Sequence, residues 1–116
     1  DRNKIPVMIF DEIDAGISGE AALQTGRKIY EISKNCQVIC VTHMPQIACM
    51  ADTHFVIRKE NIEGNSFTFI QELEHENRAD QLASLLDGNK ITESGLAHAN
   101  DMLEKAEEYK SQNIIC

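Results

Sequence analysis

An α/β fold built on a mainly parallel sheet, with flanking helices and a hairpin at the sheet edge, is what this sequence predicts. Two short apolar runs, Val7-Met8-Ile9-Phe10 and Val38-Ile39-Cys40-Val41, have the pattern of strands buried on both faces. Apolar positions between them recur at helical spacing, and a strand–helix–strand unit with so long a crossover is parallel and right-handed. Two further runs flank a turn-rich stretch, the pattern of an antiparallel hairpin.

The elements follow in order. The first strand is preceded by Pro6 and followed by acids. Past Gly16-Ile17-Ser18-Gly19, the positions Ala22, Gly26, Ile29, Tyr30 and Ser33 share one helical face up to Asn35, and Ser18 is placed to cap that helix. A short helix is expected after the second strand, from Pro45, which suits a first helical position, to Met50. Residues 55–58 and 67–73 form the hairpin about a turn in Glu60-Asn61-Ile62-Glu63-Gly64-Asn65. Residues 78–86 put Leu82, Leu85 and Leu86 on one helical face and stop at Gly88. Thr92 opens the last helix, whose apolar stripe is Leu96, Ala99, Leu103 and Ala106. Its Glu104, Lys105, Glu107, Glu108 and Lys110 are expected to face water. There is no internal repeat and no low-complexity linker.

At 116 residues and 42% hydrophobic content, the chain is one domain or part of one. Its 19 acidic residues outnumber 11 basic ones for a net charge of −8, which excludes a segment that itself grips a nucleic-acid backbone. Any DNA is held by other regions. The apolar runs fall far short of the ~20 residues that cross a bilayer, and no leader opens the chain, so a soluble cytoplasmic protein is expected. Cys36, Cys40, Cys49 and Cys116 form no C-x-x-C pair and read as reduced structural thiols. Cys40, His43 and Cys49 lack the spacing and the fourth ligand of a zinc site. The first residue is not methionine and a strand begins within a few residues of it, so the chain is expected to start inside a larger protein.

In a parallel sheet, functional groups gather outside the carboxyl ends of the strands. Here the first strand runs into Asp11-Glu12 and the second into Thr42-His43. Adjacent residues leaving a strand point in opposite directions, so the two acids can take different tasks. One carboxylate can support Mg²⁺, which keeps several waters and takes only one or two protein carboxylates beside nucleotide phosphates. The other can orient or deprotonate an attacking water. Acids after a strand also commonly cap the next helix. Against that plain reading stands the conjunction of apolar strand, Asp-Glu, Asp14-Ala15-Gly16-Ile17-Ser18, crossover helix, and a second apolar strand ending in Thr-His.

VMIFDE resembles the Walker B strand of ABC-type ATPases, with Asp14-Ala15-Gly16-Ile17-Ser18 in the place of the D-loop and His43 in that of the switch histidine. Within that class, DEIDAGISGEAA, VICVTHMPQIACMADTHFVIRK and NRADQLASLLDGNKITESGLAHANDML resemble the end of the SMC-like DNA repair ATPases, from Pro6 to about Ala106. The resemblance implies a P-loop NTPase of ABC type, with residues 1–116 as the C-terminal lobe of its head. It implies ATP and Mg²⁺ as cofactors, and hydrolysis that drives head engagement and release in DNA double-strand break repair and recombination. By the same resemblance Asp11 supports Mg²⁺, Glu12 is the catalytic carboxylate acting on water, and His43 contacts the γ-phosphate. Asp14 and the backbone around Gly16 and Ser18 lie where a second, identical head closes over ATP, and Gln46 has a supporting role. DNA is bound through other regions, in association with the nucleoid, and no membrane is involved.

Two parts of the pattern are missing. No G-x-x-x-x-G-K-[ST] loop and no Leu-Ser-Gly-Gly signature occurs in the chain. In the family both precede the Walker B strand, so the chain alone is expected to bind ATP poorly and hydrolyse none. Asp11-Glu12-Ile13-Asp14 also spells a helicase D-E-x-D box, but there the next motif strand ends in Ser-Ala-Thr rather than Val-Thr-His. A metal-dependent nuclease or topoisomerase-primase fold needs an upstream glutamate and a D-x-D pair. A regulatory or interaction domain, with these residues merely structural, fits the acidic surface. A Leu-Ser-Gly-Gly motif a few tens of residues upstream discriminates against all three.

Overall fold

The computed structural model describes residues 7–11, 16–88 and 90–112. In order these form β1 (Val7–Asp11), α1 (Gly19–Ser33), β2 (Gln37–Val41), α2 (Pro45–Ala48), β3 (Phe55–Ile62) and β4 (Asn65–Glu72). A 3-10 turn (His75–Asn77), α3 (Arg78–Leu86) and α4 (Glu93–Gln112) follow. Ser18 starts α1 as the spacing predicts, its Oγ accepting from Ala21 N–H at 3.3 Å. Strands β1 and β2 pair in parallel, from Val7 opposite Gln37 to Asp11 opposite Val41, so the crossover unit forms as expected.

Two expectations about the sheet need correction. The parallel strands are not buried on both faces: Ile9 is 68% exposed and Ile39 46%, with Val7 and Val41 open beside them. Alternate residues Met8, Phe10, Val38 and Cys40 are half-buried. Helix α1 packs on β2, and the described residues cover only one face of the pair. Nor does the hairpin sit at the edge of that sheet. Strands β3 and β4 hydrogen-bond only to each other, so the described strands make one parallel pair and one antiparallel pair. The hairpin is also tighter than expected. Its turn is the two residues Glu63 and Gly64, at φ 50° and 80°, and pairing continues to Ile62 opposite Asn65. Two successive residues at positive φ make the turn whose twist matches the strands, so β3 and β4 extend through positions that composition marks as loop.

The core lies where α2, α3 and α4 meet. Leu82, Ala83 and Ala99 are fully buried, with Ala48, Cys49, Met50 and Ala106 around them. Alanines at these positions let α3 and α4 approach closely. Thr92 caps α4 as expected, its Oγ1 accepting from Gly95 N–H at 3.0 Å while donating to Asp87 Oδ2 at 2.9 Å.

Near its end, α4 is fastened to the rest of the chain. Tyr109 donates its hydroxyl to Glu31 Oε2 at 2.9 Å, meets the Tyr30 ring edge-on at 6.1 Å, and carries the Arg27 guanidinium 4.8 Å over its own ring. Lys110 does not face water as the charge pattern implies. Its ammonium reaches Asp52 Oδ1 at 2.8 Å and Ala51 O at 3.4 Å, beside the Tyr30 ring, so the alkyl stem is covered while the head is neutralised.

Arg78, read from the sequence only as the start of a helix, is buried and donates from Nη2 to Ala48 O at 3.3 Å. It thereby satisfies a carbonyl at the end of α2. Beside this cluster His54 is half-buried, and its Nδ1 has no hydrogen-bond partner among the described residues. Burial, and secondarily the Arg78 charge, hold its pKa below the ordinary 6.5. The unfolded chain therefore takes up this proton first as pH falls. The stabilising contribution is whole above 6.5 and is lost progressively below it. Denaturant midpoints at about pH 7.5 and about pH 5.5 are expected to fall further apart in the parent chain than in His54→Gln. Equal separations in the two proteins would assign the acid sensitivity elsewhere.

Candidate active site

The register of the parallel pair decides what gathers at its carboxyl edge. Asp11 ends β1 opposite Val41, which ends β2, so Asp11 and the Thr42-His43 segment leave the sheet side by side. Neighbouring strands lie about 4.8 Å apart, within reach of a shared phosphate or hydrated cation. Asp11 and His43 are both exposed, and Thr42 is half-buried. The turn carrying His43 is fixed locally: Thr42 Oγ1 accepts from Met44 N–H at 3.0 Å. Met44 O then accepts from both Ile47 N–H at 3.1 Å and Ala48 N–H at 3.0 Å, which starts α2 with Pro45 at its first position.

On the other strand, Glu12 and Asp14 lie outside the described residues. The chain returns at Gly16, whose φ of 78° is a backbone conformation that side chains other than glycine adopt only with strain. It then enters α1 through Ile17 and the Ser18 cap. Gly16 and Ser18 therefore stand on the segment leading away from Asp11. Gln46 is placed differently: its side-chain amide lies against Gly19, the first residue of α1, at the contact between α1 and α2. Composition and motif reading passed over Gly19 and Gly26 as site elements. The available signal was two glycines seven residues apart on one helical face, a spacing that marks close backbone approach.

An exposed carboxylate and an imidazole at one sheet edge can serve a nucleotide phosphate and its magnesium ion. Mg²⁺ fits Asp11, because that ion draws most of its ligands from water and phosphate oxygens. Among the described residues, no group of three or more His, Cys, Asp or Glu side chains could hold a metal by itself.

Comparison with known proteins decides the relationship. Over 104 residues, 90% of the chain, it is 42% identical to the DNA repair protein RecN of Haemophilus influenzae. Over most of its own length, the chain is similar to RecN proteins. RecN of Bacillus subtilis is 36% identical over 104 residues, and RecN of Mycobacterium tuberculosis 43% over 100 residues. The chain spans less than one fifth of these relatives, 19%, 18% and 17% of their lengths respectively. No family model matches it. A solved structure from work on ATP-driven dimerization and DNA-stimulated activation of SMC ATPases superposes with a TM-score of 0.56 at 24% identity, covering 78% of this chain and 52% of that one. That likeness concerns the fold alone, an α/β arrangement. No helix among the described residues is long and apolar enough to cross a membrane.

Proposed function

We propose that this chain is the hydrolytic lobe of an SMC-like ATPase head acting in DNA double-strand break repair and recombination. The observation that carries the reading is the register of β1 and β2, which brings Asp11 and the His43 segment to one edge in a chain homologous to RecN. Asp11 would hold Mg²⁺, directly or through water, and the bound ion would supply charge neutralisation at the nucleotide phosphates. Glu12 accepts a proton from the water whose oxygen attacks the γ-phosphorus, while the bond to the ADP oxygen breaks. An N–H of His43 donates to a γ-phosphate oxygen, where charge is redistributed during transfer.

The phosphate-binding loop and the signature motif come from other parts of the protein, the latter from a second, identical head. Asp14, Gly16 and Ser18 meet that head and relay its state. In the assembled head the two sheets of this lobe join a larger, mainly parallel sheet, and helices of the rest of the head cover the open face of β1 and β2. With a net charge of −8, the lobe leaves DNA to other regions of a soluble, nucleoid-associated protein.

His43→Ala in the full-length protein is expected to lower ATP turnover by about 10²-fold, as loss of one preorganised donor does. Nucleotide affinity stays within a few-fold, because the phosphate-binding loop supplies most of it. Steady-state hydrolysis together with fluorescent-nucleotide titration measures both, and an unchanged rate removes His43 from the site.

A further inference from the structure

Residue 46 touches α1 at two levels. A Cβ at Gly19, the first residue of α1, would sit 3.1 Å from Gln46 Nε2. Two turns on, a Cβ at Gly26 would sit 3.0 Å from the Gln46 carbonyl oxygen, 3.2 Å from Met50 Cγ and 3.3 Å from Ile47 Cα. Residues seven apart share a helical face, so the two glycines form a flat seat on which residue 46 rests. The Gln46 Oε1 is buried and has no partner among the described residues.

The two ends of this contact carry different parts of the site. Gly19 adjoins the Ser18 cap and the segment leading back to Asp11, whereas Gln46 stands three residues after His43. The span from 43 to 46 is short and internally bonded, through Thr42 Oγ1 to Met44 N–H and Met44 O to Ile47 N–H. A shift of α1 relative to α2 is thus passed directly to the histidine turn.

We propose that Gln46 is a positioning residue that keeps the His43 turn in register with the Ser18-capped start of α1. The inference rests on the hydrolytic reading above and deepens it. Its action is through geometry, so it changes the rate of the chemical step and leaves nucleotide affinity alone.

Gln46→Ala, Gly19→Ala and the double variant in the full-length protein test it, with Glu12→Gln measured beside them. Gln46→Ala is expected to lower kcat about tenfold with KM unchanged, the scale of a displacement well under 1 Å. Gly19→Ala pushes the same amide aside by a few tenths of an ångström and is expected to lower kcat severalfold. Its melting temperature holds or rises, since alanine favours a helix over glycine. That combination is one a merely structural contact cannot produce. The double variant is no slower than Gln46→Ala, because both changes remove one contact. Wild-type kcat in Gln46→Ala, a raised KM in place of a lowered kcat, or additive losses overturn the positioning role. Where Glu12→Gln abolishes turnover and the Gln46 and Gly19 variants keep it, the positioning role alone falls. Where Glu12→Gln itself turns over normally, the hydrolytic reading falls and takes this inference with it.

Discussion

Glu12→Gln in the full-length protein is expected to leave ATP bound and unhydrolysed. The amide keeps the size of the carboxylate and can still hydrogen-bond to water, but it cannot accept the proton that the attacking water must lose. Loss of a general base lowers turnover by ~10²–10⁴-fold. In the proposed mechanism, binding rests on the phosphate loop and on an ion held near Asp11, so nucleotide affinity is expected to persist. The bound state in which two heads are engaged should therefore accumulate. Light scattering with ATP and Mg²⁺ reads that accumulation, and single-turnover hydrolysis reads the chemistry. Parent-like turnover would remove Glu12 from the base role, whatever happens to dimerization.

The second large effect concerns stability. Leu82 is the one large side chain among the described residues with no exposed surface, and its core cluster of Ala48, Cys49, Met50, Ala83, Ala99 and Ala106 has Leu85, Leu86, Leu96, Met102 and Leu103 packed against it. Leu82→Ala removes buried methyl groups and leaves a cavity that packed neighbours refill only in part. The expected cost is about 2–5 kcal/mol, against a total of ~5–15 kcal/mol for a domain. Thermal unfolding followed by circular dichroism should show a melting temperature lower by at least about 8 °C. Leu85→Ala, at a half-buried position, should cost less. A shift for Leu82→Ala below about 2 °C would show that the core can close over the site.

The parts of this fold legible in sequence are those with short-range causes. The β1–α1–β2 crossover, the Ser18 and Thr92 caps, and the limits of α3 each follow from a spacing or a terminal residue. The hairpin turn was blurred because Asn61, Ile62 and Asn65 carry loop-like composition, and only backbone twist reveals that Glu63-Gly64 suffices. The open face of β1 and β2 was misread because a wholly apolar run reports what a strand is suited to bury, not what lies over it. Asp11 and His43 were legible as edge residues because strand ends are local, whereas the seat of Gln46 on Gly19 and Gly26 is a tertiary contact without a motif. The burial of Lys110 has no local signal for the same reason: its partner Asp52 lies 58 residues away.

The fastening of α4 to α1 has a consequence for the order of events on the ribosome. Tyr109 and Glu31 are separated by 78 residues, so the aromatic face of α1 emerges long before its cover is translated. Contacts of such sequence distance carry a loop-closure cost and form late. A nascent chain halted before residue 109 presents Tyr30 and Arg27 bare, in the state that holdase chaperones and proteases recognise. The cover over this face of α1 is thus among the last contacts the chain can make.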